Sequence, residues 1–179
     1  MKQSSLSLTA TLLLSTSAAA IASAPDQLKR LLNTGECSGC NLTEVSLYNY
    51  ALAGSNLSGA NLTAAALQGS NLEQSLLTNA VLERANLALV KLRGSDLSGA
   101  NLSKANLYAA DLSGADLSQA DLREANLEGA DLRGARLKGT NLRKANLFRA
   151  RLAGAVITEA QFDQARMPDG REFKPSSKK

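Results

Sequence analysis

From Leu42 to Leu152 every fifth residue is leucine, 23 in succession, and Ile157, Phe162 and Met167 carry the register on to 26 positions. No regular secondary structure has this period, because a helix repeats its faces about every 3.6 residues and a strand about every 2. On an α-helix these leucines would be smeared around the surface. A chain that turns a corner every five residues keeps them on one axis.

The neighbours of each leucine support that geometry. Two residues before it stands Ala in 17 of the 26 units, with Ser55, Ser70, Ser75, Ser95 and Thr140 among the rest. Immediately before it stands Asn or Asp in 15 units, such as Asn61, Asn101, Asp111 and Asp116. The unit is A-N/D-L-x-x, with Leu and its small partner inward and the other three positions outward. Composition fits such a core: 44% of the residues are hydrophobic but only 3% aromatic. Val45, Tyr50 and Val90 are large for the small position, which predicts local widening there, with the Tyr50 ring under an end cap.

This array closely resembles the pentapeptide-repeat family. Gly99-Ala100-Asn101-Leu102-Ser103 and Gly114-Ala115-Asp116-Leu117-Ser118 carry the match, which extends over about residues 40 to 167. The resemblance implies an all-β solenoid, a right-handed quadrilateral β-helix with four pentapeptides per coil. That makes about 6.5 coils, roughly 31 Å long at ~4.8 Å per coil. Burial of each Leu contributes about 1.5–3 kcal/mol, so the stacked leucines can offset chain ordering without aromatic rings.

An open coil exposes unpaired backbone, so both ends need cover. Asp26 to Asn33 reads as a short N-terminal capping α-helix: Leu28, Leu31 and Leu32 fall on one face, Pro25 suits the first turn and Gly35 a stop. At the other end Met167-Pro168-Asp169-Gly170 ends the repeat with a turn, followed by a basic tail with no helix to cap the coil. The exposed last coil is therefore a candidate surface for self-association.

Residues 1–22 read as a secretory signal peptide: Lys2, an uncharged stretch containing Leu12-Leu13-Leu14, then a run of small residues. The Ala20-Ile21-Ala22 site predicts cleavage before Ser23, since a cut after Ala24 would leave Pro25 directly behind it. No membrane span is expected. The predicted organisation is thus signal peptide 1–22, capping helix and linker 23–36, β-helix 37–167 and disordered basic tail 168–179.

The chain has no His, so neither a Ser-His-Asp nor a Cys-His catalytic unit can form, and no imidazole can hold a metal. The reading is non-enzymatic, with no cofactor, metal or catalytic residue. Cys37 and Cys40 form a C-x-x-C that in an exported chain favours a disulfide, though a redox-active pair, free thiols or a weak metal site stay open. At a spacing of 20, Lys91, Asp111, Asp131 and Arg151 share one column and Asp96, Asp116 and Arg136 another, so opposite charges should compensate across coils. Another column holds Tyr48, Gln68, Ala88, Tyr108, Glu128 and Phe148, with Leu89 beside Ala88. Tyr48, Leu89, Tyr108 and Phe148 are accordingly the candidate interaction face. The C-terminal half is basic, with Arg123, Arg133, Arg136 and Lys138 among its residues.

The leading function is an exported scaffold or protein-interaction module with an unidentified protein partner and no nucleic-acid partner. Signal segment, Leu31-Leu32 ahead of Cys37 and Cys40, and the long array are similar to exported cyanobacterial members of the family, which implies periplasm or thylakoid lumen. Two other classes compete: a DNA mimic that binds a topoisomerase, as some family members do, and a thiol-disulfide protein using Cys37 and Cys40. Mimicry wants a strongly acidic surface, against a net charge of +4 here.

Overall fold

A computed structural model describes residues 24–174. The predicted signal segment and its cleavage site lie outside the described residues, as do the last five of the basic tail.

Each pentapeptide places its backbone groups in the same way. The Leu57 carbonyl accepts from the Ala60 N–H at 3.0 Å, closing a four-residue turn whose third member, Gly59, has φ of 64°. A left-handed residue at that place is what a type II turn requires. It recurs two residues after each leucine position from Cys37 to Phe162, on glycines such as Gly114 at 67° and on non-glycines such as Leu89 at 59°. The Asn or Asp preference has a local cause: its Oδ1 accepts the N–H two residues on, as from Ser98 to Asp96 at 2.9 Å and from Arg133 to Asp131 at 3.1 Å. The remaining donors run between coils. Leu107 N–H reaches the Asn126 carbonyl at 2.7 Å, and Asn126 N–H reaches the Ala105 carbonyl at 2.9 Å. All five N–H groups of a consensus unit are therefore satisfied.

These bonds make parallel bridges between residues 20 apart, from Glu36 with Asn56 down to Asn146 with Arg166. One coil is thus four pentapeptides. The every-fifth leucines from Leu42 to Leu147 are buried in one continuous core with the small residues between them. Most of the serines and threonines that substitute for Ala there bond backbone carbonyls: Ser95 Oγ donates to Leu92 at 2.7 Å, Thr140 Oγ1 to Leu117 at 2.8 Å, and Ser70 Oγ to Leu47, while the buried Ser55 Oγ has no partner among the described residues. Val90 is fully buried, whereas Tyr50 points into solvent. The expected place for the Tyr50 ring under a cap is corrected: an axis filled by Ala-sized side chains has no room for a phenol, and the ring turns outward.

At the N-terminus helix α1, Ala24–Thr34, lies over the first coil. Gly35, at φ of 73°, donates to the Leu31 carbonyl at 2.8 Å and ends it. Leu31 is buried and Leu28 packs against the core, but Leu32 faces solvent, so the predicted three-leucine face narrows to two. The Gln27 side-chain carbonyl accepts the Asn41 N–H at 2.5 Å, answering a donor on the open edge of the first coil. The repeat itself begins one unit before Leu42: Cys37 takes the leucine position and Cys40 the small one, and Cys37 N–H donates to the Asn56 carbonyl at 2.8 Å.

The other end departs from the expected frayed tail. Residues 171–174 turn back: Glu172 bridges antiparallel to Arg166, and Phe173 N–H donates to the Ala165 carbonyl at 2.7 Å. Phe173 packs on Phe162 with ring centres 5.7 Å apart. Burying two rings on the last core layer favours the return over fraying.

The turn geometry and the core layer make separable predictions. Around Gly114 there is open space where a Cβ would stand, so Gly114→Ala should cost only the left-handed penalty, about 1–2 kcal/mol. Leu107→Ala removes a fully buried side chain and should cost about 2–5 kcal/mol. Denaturant titration of the two variants measures the difference.

Candidate interaction surfaces

The outward column expected to be less polar than the others lies along one face. Asn49 N–H donates to the Gln68 carbonyl, Leu89 N–H to Tyr108 at 2.9 Å, and Gly129 N–H to Phe148 at 2.8 Å, so successive members stack coil on coil. Tyr48 is 59% exposed, Leu89 61% and Tyr108 48%. Phe148 differs from these three, being half-buried against the C-terminal turn: a Cβ on Gly170 would meet its Cε2 at 3.3 Å. Arg166 stands over its ring at 4.1 Å and Arg149 at 4.9 Å. The face is bordered by an asparagine column, in which Asn106, Asn126 and Asn146 each donate an amide N–H to the Asn one coil above, at 3.2–3.3 Å. Its signal was in the sequence as Asn at 86, 106, 126 and 146, but only the 20-residue coil makes those positions neighbours.

The structure gives Cys37 and Cys40 a disulfide, with Cα atoms 5.2 Å apart. Both sulfurs lie inside the core, Cys37 wholly so. Cys37 Sγ also sits 3.3 Å from the Gln27 carbonyl on α1, a packing contact, since a disulfide sulfur carries no proton to donate.

Charge compensation across coils is present and incomplete. Arg136 reaches Asp116 at 3.3 Å and Arg151 reaches Asp131 at 3.6 Å, both along the predicted columns. The closer pairs lie within one pentapeptide, Arg133 with Asp131 at 2.6 Å and Arg123 with Asp121 at 2.5 Å, in the local pattern D-L-R. These guanidinium hydrogen bonds hold the Asp121 and Asp131 carboxyls below the usual range, and the Ser98 hydroxyl does the same for Asp96. Between the charged columns runs a groove of about 440 Å³ floored by Gly94 and Gly114 and flanked by Arg93 and Arg133. A second cleft of about 270 Å³, lined by Pro25, Leu28 and Val45, separates α1 from the first coil.

The C-terminal coil is partly bare. Val156 and Ile157 are exposed, and among the described residues the N–H groups of Leu152 and Ile157 have no backbone acceptor. Among the described residues no helix is long and apolar enough to cross a membrane.

Twenty-residue coils of A-N/D-L-x-x units define a pentapeptide-repeat β-helix. The pentapeptide repeat family matches in 8 copies, spread over residues 40–169, and the chain belongs to that family. A trypsin-treated form of QnrB1, a plasmid-mediated fluoroquinolone resistance protein, is similar at a TM-score of 0.65 and 21% identity, covering 69% of this chain and 63% of that one. That likeness shows the fold, and the chain spans less than two thirds of that trypsin-treated chain. Rfr23, a pentapeptide repeat protein of the cyanobacterium Cyanothece 51142, is 32% identical over 78% of this chain and 99% of its own, with a TM-score of 0.49. A pentapeptide repeat protein from the Arabidopsis thaliana thylakoid lumen is 29% identical over 69% of this chain and 72% of its own, with a TM-score of 0.29. No curated protein sequence matches the chain.

The lowered carboxyls set a pH dependence. Their folded pKa values lie below those of the unfolded chain, so ionisation favours folding above about pH 4 and the contribution is lost as pH falls through the folded values. With no His, little should change between about pH 5 and 8. Melting temperature should be flat over that window and drop below about pH 4, with a shallower acid slope in D96N/D121N/D131N.

Proposed function

We propose that this protein is a non-catalytic exported scaffold whose stacked face of Tyr48, Leu89 and Tyr108 docks a protein partner. The carrying observation is that these large side chains stand exposed on one face of a hydrogen-bonded ladder, Leu89 and Tyr108 on adjacent coils and Tyr48 two coils before Leu89, with Gln68 between. Such a ladder presents them on a backbone already ordered, which lowers the entropic cost of binding. The right-handed, four-sided winding implied by the family resemblance belongs to the same reading. Replacing Leu89 and Tyr108 by Ser should leave the fold intact and remove specific partners co-purified from the exported fraction. An unchanged partner set would count against this face.

Export to a periplasm or thylakoid lumen follows from the pattern in residues 1–22, and a structural Cys37–Cys40 bridge is the state such a compartment favours. Burial of both sulfurs supports a bridge over a redox role, because exchange needs an accessible sulfur. A DNA mimic fits less well: Asp121 and Asp131 are each neutralised by an arginine in the same pentapeptide. Self-association through the bare C-terminal coil remains a second use of the surface, suggested by exposed Val156 and Ile157. Protein purified from its own exported fraction tests these together: the expected result is a chain starting at Ser23 without titratable thiol. Retention of residues 1–22, or a reversible thiol couple, would overturn the export or the bridge respectively. Sedimentation of the same preparation over a range of concentrations reads the dimer.

A further inference from the structure

Two arginines at the end of the aromatic face have no carboxylate partner among the described residues. The Arg166 and Arg149 guanidinium carbons lie 4.1 Å and 4.9 Å from the Phe148 ring centre, hence no more than 9.0 Å from each other. Neither joins an ion pair among the described residues, whereas Arg123, Arg133, Arg136, Arg143 and Arg151 all do. Two cations beside one ring repel each other, and the ring takes the place of water on one side of each. An oxyanion able to accept from forked donors relieves that repulsion.

The surface leading to them is low in relief and nearly neutral. Gly69, Ala88, Ala109 and Gly129 keep it shallow between the exposed side chains. The bordering column is the bonded asparagine series, and Arg166 is its next member after Asn146. One acid lies between Tyr108 and Phe148, Glu128, and its Oε2 already accepts the Asn146 amide at 3.1 Å. From Tyr48 to Phe148 the face crosses five coils, about 24 Å at ~4.8 Å each, which an extended segment of roughly seven residues would span.

We infer that the partner element on this face is an extended acidic peptide segment, with apolar side chains against Leu89 and Tyr108 and a carboxylate held between Arg149 and Arg166. The inference rests on the docking role proposed above and adds the chemistry of the partner. It predicts binding that weakens with salt, since the carboxylate contacts are exposed.

The probe is a fluorescently labelled heptapeptide, Glu-Leu-Ser-Phe-Ser-Glu-Glu, titrated with the mature protein at low and high salt and followed by anisotropy. Versions with Gln or Lys at each Glu position serve as controls. Binding of the acidic peptide, loss of at least tenfold for the Gln version, and a similar loss in R149Q/R166Q support the inference. Equal affinity for the three peptides, no binding of the acidic one, or unchanged affinity in R149Q/R166Q overturns it. The Gln peptide leaves the protein untouched, so the test stands even if the arginine pair proves necessary for folding. A variant L89S/Y108S separates the two levels. If it binds normally while R149Q/R166Q does not, the docking face falls and acid recognition stands; the reverse pattern keeps the face and removes the acid. Co-sedimentation with phosphatidylglycerol vesicles, in the absence of peptide binding, would assign the arginines to a lipid surface and overturn the inference.

Discussion

The hydrogen bonds between coils are the constraint on which everything else in this molecule depends. Within each consensus unit the N–H groups of the inward Leu and of the turn residue donate to the coil that follows, and the Asn or Asp N–H donates to the coil before. A coil has no core of its own and no complete set of partners until the next one is laid against it. That accounts for the treatment of the ends. Gln27 on α1 supplies an acceptor to the first coil, and the returned segment at Glu172 and Phe173 covers part of the last.

The same ladder dictates where side chains can be large. Four inward ladders converge on an axis that takes one Leu and one Ala-sized residue per unit, so valine at position 90 is accepted and a tyrosine at position 50 is expelled. It also fixes the outward columns at a separation too short for two like charges without cost. Local D-L-R pairs answer that cost more directly than neighbouring coils do, because the Asx turn holds the carboxylate beside the N–H of the arginine itself.

Function on such a scaffold is a property of faces. Rows of exposed side chains arise whenever similar residues recur at a spacing of 20, and the ladder holds their backbone without further ordering cost. On the proposed reading, the row of exposed side chains and the two arginines without an ion pair among the described residues are continuous through Phe148, so hydrophobic and charged recognition would act on one partner segment. Burial of the cysteine pair takes it out of competition for a surface role.

The five-residue register by itself determined a chain that turns a corner every five residues, because neither helix nor strand keeps 23 leucines on one side. With the four-unit coil that the family resemblance implies, the column of Tyr48, Tyr108 and Phe148, with Leu89 beside it, followed by counting in twenties. Other features required the tertiary structure. The left-handed residue at every turn was hidden, since glycine and fifteen non-glycine residues share that place under the compulsion of the ladder. The fate of Leu32, Tyr50 and Phe173 was equally illegible, because each depends on how much room an end of the solenoid leaves. A repeating pattern specifies its own interior, where each unit meets a copy of itself; at the ends the partner is a different segment, and only three-dimensional packing decides what it covers.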